Sequence, residues 1–181
     1  MTRDQAIELL QQHLQNRNLV KHCLAVEACM KEFAVRFAQD PEPWAMAGLL
    51  HDLDYAYTVD TPEKHTEKTA DMLAGFSLAD DIIHAIKAHN LRVEPSSKMD
   101  IALLTIDPAS GFIIACALMH PDKKLAGLDL AFLKKRFKEK SFAKGASREQ
   151  MAGCAKLGLS LDEFLQLCLS AMQNIALELG L

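Results

Sequence analysis

The sequence predicts an all-α fold, and three observations carry that expectation. Alanine and leucine together make 52 of the 181 residues, whereas valine, isoleucine and threonine make only 20, a balance that favours helix over strand. Apolar residues recur three and four positions apart along most of the chain, and no strand-like alternation survives more than a few residues. Helix starts are well punctuated, with Thr2-x-x-Gln5, Ser147-x-x-Gln150 and Ser160-x-x-Glu163 all in capping-box form. A chain of this length should bury roughly 70% of its unfolded surface, enough for one domain, or one domain plus an appendage, without a disulfide or metal to hold it.

The elements follow in order. The first helix, 3–16, starts at the Thr2 box, and the second, 19–38, carries the stripe His22, Val26, Cys29, Phe33 and Phe37. The third, 41–52, opens at Asp40-Pro41, a cap followed by proline in the first turn. A loop at 53–61 leads to a helix over 62–75, opened by Thr61-Pro62 and closed by Gly75. A helix over 79–89 is followed by a loop at 90–97 containing Pro95-Ser96-Ser97. Within the helix over 98–119, the stretch from Ile101 to Met119 has a single charge, Asp107. In a bilayer Asp107 would lie mid-span at a cost of about 2.5–3.5 kcal/mol, with Pro108 beside it and no aromatic belt, so this is read as a buried core helix. Asp107-Pro108 also has the form of a cap and first helical residue, which would split 98–119 in two. Helices over 124–138, 147–157 and 160–179 complete the chain, with Gly158 at a stop.

A formal charge of −4 and 24% charged residues suit a soluble protein. Five cysteines with no Cys-x-x-Cys pair point to buried free thiols in a reducing compartment. The first residues enter an amphipathic segment instead of a signal peptide, so a cytoplasmic location and no membrane partner are expected. Residues 134–148 hold seven basic side chains against Glu139 alone. Such a run is read first as a solvated face; it also suits phosphates, but with only Phe137 and Phe142 interleaved it argues against a nucleic-acid partner.

The informative residues are histidines with apolar helical neighbours. His22 has its stripe; His51 follows Trp44, Ala47 and Gly48 and adjoins Asp52; His65 aligns with Thr69, Met72 and Phe76; His89 aligns with Ile82 and Ile86. One core histidine is ordinarily a hydrogen-bonded residue, but four on successive helices, with acids, each need a partner when buried. A shared metal supplies partners to all at once. Asp107, facing the same way as Leu103, Ser110 and Ile114, joins the set as an alternative to its capping role. His13, His84 and His120 lie in polar surroundings and are left out.

Imidazole with carboxylate suits Mn, Fe, Co, Ni or Zn, and the absence of thiolate spacing argues against a closed structural zinc site. Six candidates exceed one four-coordinate ion, so one or two divalent ions per chain are expected, with two bridged by a carboxylate as the natural count. Two ions about 3.5–4 Å apart can hold a hydroxide and clamp an in-line displacement at phosphorus. No Gly-x-Ser-x-Gly, P-loop, Gly-x-Gly-x-x-Gly or His-Glu-x-x-His is present.

The ordered series His22 in VKHCLAVEACM, His51-Asp52 in AGLLHDLDY and Asp107 in LLTIDPASGF resembles the HD-domain superfamily of metal-dependent phosphohydrolases. The resemblance covers about 15–125. It implies an HD-like helical bundle over 1–125, with 126–181 as a C-terminal helical extension similar to that of small bacterial HD proteins. It also implies that His22, His51, Asp52 and Asp107 bind a first metal, that Asp52 bridges to a second held with His65 and His89, and that His51 and Asp52 are catalytic. The Gly-Tyr-Pro element of cyclic-dinucleotide phosphodiesterases is absent, with Leu53-Asp54 after the pair, which argues against that substrate. Lys68, one turn beyond His65, is the expected phosphate contact, and Asp54 is a general-acid candidate by proximity alone.

The expected function is hydrolysis of a phosphate ester on a phosphorylated small molecule, a nucleotide among the candidates, by a metal-bound hydroxide. Two alternatives stay open: a di-iron oxygenase on the same scaffold, and a non-catalytic, metal-stabilised regulatory or ligand-binding module.

Overall fold

A computed structural model describes residues 1–181, in which eleven α-helices and three short 3-10 helices form the fold, with no strand. The helix α1 (Arg3–His13) starts at a complete Thr2–Gln5 capping box. It ends short of residue 16 because Asn16 caps the next helix, its side chain accepting from the Asn18 N–H. That helix, α2 (Arg17–Arg36), lies against α3 (Pro41–Leu50), which Asp40 caps ahead of Pro41. The two approach closely at Gly48, where a Cβ would sit 3.1 Å from the Glu27 backbone.

The 53–61 loop holds a short helix, α4 (Tyr55–Thr58), and 62–75 is not one helix. A 3-10 turn at Pro62–Lys64 and α5 (Glu67–Leu73) are separated by His65 and Thr66, with Thr66 at φ 73. The cause is long-range: the Asp54 carboxylate accepts from the N–H groups of Thr66 and Thr69, at 2.8 and 3.0 Å. It thereby caps α5 from outside the segment, and Thr61 makes no side-chain cap before Pro62.

Two helices complete the centre, α6 (Asp80–His89) and α7 (Lys98–Met119), packed on each other, with α6 also on α3 and α7 on α2. The split at Asp107-Pro108 does not occur: α7 runs unbroken through Pro108. Proline inside a helix costs about 3 kcal/mol. Complete burial of Leu103, Ile106, Phe112 and Ile113 on both sides of the break point offsets that cost. The same burial shows where the apolar surface of this segment goes, and α7 forms the axis of the core.

The C-terminal part comprises a 3-10 turn at Leu125–Gly127, α8 (Leu130–Phe137), α9 (Arg148–Ala152), a 3-10 turn at Gly153–Leu157, α10 (Leu161–Asn174) and α11 (Ala176–Leu179). Gly158 ends its turn in the left-handed region, at φ 74. The α10 helix packs on α2 and α7, with Phe164 edge-on to Phe33 at 5.5 Å between centroids, so one apolar core runs through both parts. All five cysteines are free and buried. The basic run 134–148 is not a uniform solvated face. Lys134 pairs with Asp162, Arg136 with Glu139, and Arg148 donates to three backbone carbonyls.

Candidate metal centre

Five elements deliver the six side chains to one place: His22 from α2, His51 and Asp52 from the end of α3, His65 from the break before α5, His89 from the last turn of α6, and Asp107 from α7. His51, His89 and Asp52 are buried, and the others are partly so. Ligand atoms of His22, His51 and Asp107 lie within 4.8 Å of one another, as do those of His51, Asp52 and His89.

The imidazole tautomers follow from their partners. His51 Nδ1 lies 2.8 Å from the Gly48 carbonyl and His89 Nδ1 2.6 Å from the Ile86 carbonyl. A carbonyl only accepts, so both Nδ1 atoms carry the proton. His22 Nδ1 is 3.0 Å from Ser110 Oγ, whose own proton goes to the Asp107 carbonyl at 3.0 Å, leaving the hydroxyl oxygen to accept. His65 Nδ1 meets Asp54 Oδ1 at 2.6 Å. All four rings therefore donate through Nδ1 and turn Nε2 inward, the arrangement that orients metal-binding imidazoles.

Those inward atoms face each other in pairs. His22 Nε2 is 3.2 Å from His51 Nε2, and His65 Nε2 is 3.3 Å from His89 Nε2. Two bare lone pairs at that distance repel, so each pair requires a positive charge. Asp52 stands between the pairs: Oδ2 lies 3.7 and 3.6 Å from His22 and His51, and Oδ1 lies 3.2 and 3.7 Å from His65 and His89. Asp107 Oδ1 adds a second carboxylate to the first pair, 3.0 Å from His22 and 3.8 Å from His51.

Electrostatics agree. Burial opposes the charged form of His51, but Asp52 and Asp107 outweigh it and push its pKa up to about 9. Burial likewise opposes charge on His65, and Asp52 and Asp54 push it up to about 9. The carboxylates respond in kind: against burial, the neighbouring histidines hold Asp52 and Asp107 well below the usual carboxylate range. Without metal, protons on imidazole take the positive places. The donor set, hard oxygen with borderline nitrogen and no thiolate, fits divalent transition metals there.

Two sequence expectations are corrected. Lys68 does not reach this site; its Nζ lies 4.2 Å above the Tyr57 ring, in a separate surface pocket with Thr61, Lys64 and Glu67. Asp54 is no general acid: it is buried, ionised and saturated by His65 and two backbone N–H groups. Sequence reasoning missed its orienting role, and that of Ser110, since neither partner is local. The centre opens into two adjoining cavities of about 370 and 440 Å3 that share His22, Asp107, Gly145 and Gln150. Leu19, Tyr55 and Asn90 complete the wall of the larger.

A family model described as HD domain matches residues 19–120, more than half of the chain and all six inward-facing side chains. Among curated proteins, Ribonuclease Y of Oleidesulfovibrio alaskensis is 31% identical over 96 residues, covering 53% of this chain and 18% of the relative. Ribonuclease Y of Nitratidesulfovibrio vulgaris is 30% identical over 96 residues, with the same coverage. That of Alkaliphilus metalliredigens is 29% identical over 94 residues, covering 52% and 20%. The chain thus spans about a fifth of the length of these relatives. No solved structure matches it significantly.

Proposed function

The chain belongs to the HD-domain family, and from that premise we propose that it is a metal-dependent hydrolase of a nucleotide phosphodiester. One observation carries the reading: Asp52 presents one oxygen to the His22–His51 pair and the other to the His65–His89 pair. Two binding positions sharing one carboxylate suit two divalent ions, and the proposed sets are His22, His51, Asp52 and Asp107 for one and Asp52, His65 and His89 for the other. Such ions supply Lewis acidity toward phosphoryl oxygen and a water acidic enough to ionise near neutral pH.

The chain's own residues hold and orient. Asp54 and Ser110 fix the rings of His65 and His22, and the Gly48 and Ile86 carbonyls fix those of His51 and His89. With every Nδ1 committed, no ring can flip its lone pair away from the centre without losing a buried hydrogen bond, at about 1–3 kcal/mol each. Kinship with proteins named Ribonuclease Y supports a diester over other esters. So does the lining of the two cavities, which includes no lysine or arginine to match the second charge of a monoester.

The test is elemental analysis of protein purified without chelator or affinity metal, followed by hydrolysis of bis(p-nitrophenyl) phosphate under the metal found. About two Mn, Fe, Co, Ni or Zn per chain with hydrolysis is the expected result. No metal after reconstitution, or loaded protein inert toward phosphodiesters, overturns it. Iron with O2 consumption and no hydrolysis would replace it with the oxygenase.

A further inference from the structure

The C-terminal part contributes directly to the cleft although it lies outside the matched family region. Gly145 and Gln150 line both cavities beside His22 and Asp107. This wall is fastened down. Arg148 donates from Nη1 to the Ala143 and Ala146 carbonyls, both at 2.9 Å, and from Nη2 to the Phe142 carbonyl at 2.7 Å. Its guanidinium lies 4.8 Å from the Phe112 ring centre, which ties residues 142–146 to α7. Gln150 follows on α9, anchored by its N–H to Ser147 Oγ.

The cleft carries an unusual combination of unused groups. The side-chain amides of Gln150 and Asn90 are half-buried in its wall, and neither has a hydrogen-bonding partner within the chain. Tyr55, an exposed residue, lines the same cavity with its ring edge-on to His65 at 6.0 Å. An amide offers an adjacent donor and acceptor, the pattern that pairs with the edge of a nucleobase, and an exposed aromatic ring is a stacking platform for one. A cavity of about 440 Å3 is within the range that small ligands occupy. Beyond the candidate metal ligands, the lining offers no lysine or arginine to a further phosphate.

We propose that Gln150 and Asn90 are specificity-determining residues that hydrogen-bond the base of the nucleoside esterified to the phosphate, with that base lying against Tyr55. The proposal rests on the phosphodiester reading above, and gives the C-terminal part, through Gln150, a share in substrate selectivity.

The test compares thymidine 5′-monophosphate p-nitrophenyl ester with methyl p-nitrophenyl phosphate, which share a leaving group and differ in the nucleoside. Wild-type protein is expected to favour the nucleotide ester through KM. Gln150→Ala and Asn90→Ala should each lower that preference about fivefold, the effect of one hydrogen bond. A ratio unchanged in both variants overturns the proposal while leaving the hydrolase reading standing. Calorimetric binding of thymidine 5′-monophosphate, against inorganic phosphate, is read in parallel on metal-loaded and metal-free protein. If neither ester is hydrolysed, the hydrolase reading falls, and binding decides: nucleotide preferred over phosphate, and weakened in the variants, supports the proposal, whereas no preference overturns it.

Discussion

Asp54 Oδ1 lies 2.6 Å from His65 Nδ1, while Oδ2 of the same carboxylate takes the N–H groups of Thr66 and Thr69. One buried side chain thus turns the backbone out of helix at Thr66 and aims the His65 imidazole that this turn presents. The positive φ of Thr66, a costly conformation for a β-branched residue, persists because both effects come from the same anchor.

Replacing Asp54 by Asn tests that coupling. The amide keeps the size of the carboxylate but has one acceptor oxygen for three donors, so His65 loses its fixed tautomer. Metal affinity at the His65–His89 pair should fall about 10–100-fold, while the His22–His51–Asp107 set, which Asp54 does not touch, keeps its ion. Titration of metal-free protein would then show one tight equivalent per chain where wild type shows two; two tight equivalents in the variant would refute the role.

Asp52→Ala removes the carboxylate common to both pairs. Metal retention and phosphodiester hydrolysis should both disappear, with the far-ultraviolet circular dichroism unchanged, since Asp52 lies beyond the end of α3 and caps no helix. Metal content or turnover at the wild-type level would sink the bridging assignment.

Gly48 supports the site from behind. A Cβ there would meet Met30 Cγ at 3.0 Å and the Glu27 backbone at 3.1 Å, and only the methionine can move aside. Gly48→Ala should therefore force α3 away from α2 and cost about 1–3 kcal/mol, the usual penalty of overpacking. It should also weaken metal binding, because His22 and His51 ride on those two helices. Urea denaturation of the metal-free variant measures the first effect, and an unchanged midpoint would refute it.

How far these features are legible in the sequence depends on the range of the forces that make them. His22, His51, His89 and Asp107 stand out because a polar residue on an apolar stripe is a local signal, and α7 follows from its continuous apolar character. The break at Thr66 is invisible locally, because its cause is a carboxylate twelve residues back in the chain. That break also explains the misplacement of Lys68. One turn beyond His65 means proximity only on an unbroken helix, and without one the lysine turns to Tyr57. Gln150 is harder still: nothing in its own segment shows that Arg148 and Phe112 bring it to His22.

Asp100 gives a pH-dependent test away from the metal centre. The side chain is buried, and burial alone would raise its pKa. Hydrogen bonds from the Ser96 and Ser97 N–H groups and from His84 outweigh burial and hold the carboxyl below the usual range. A folded-state pKa below the unfolded value of about 3.9 adds stability that is present above that value and is lost as pH falls through the folded pKa. Asp100→Asn keeps one acceptor oxygen without the charge. It should lower the stability of metal-free protein by about 1–2 kcal/mol at pH 7, in line with loss of a charged capping partner. The deficit relative to wild type should shrink between about pH 4 and the onset of acid unfolding. Urea midpoints of the two proteins at a series of pH values measure it, and a deficit that stays constant down the acid range would show that shape, not charge, is what Asp100 supplies at the start of α7.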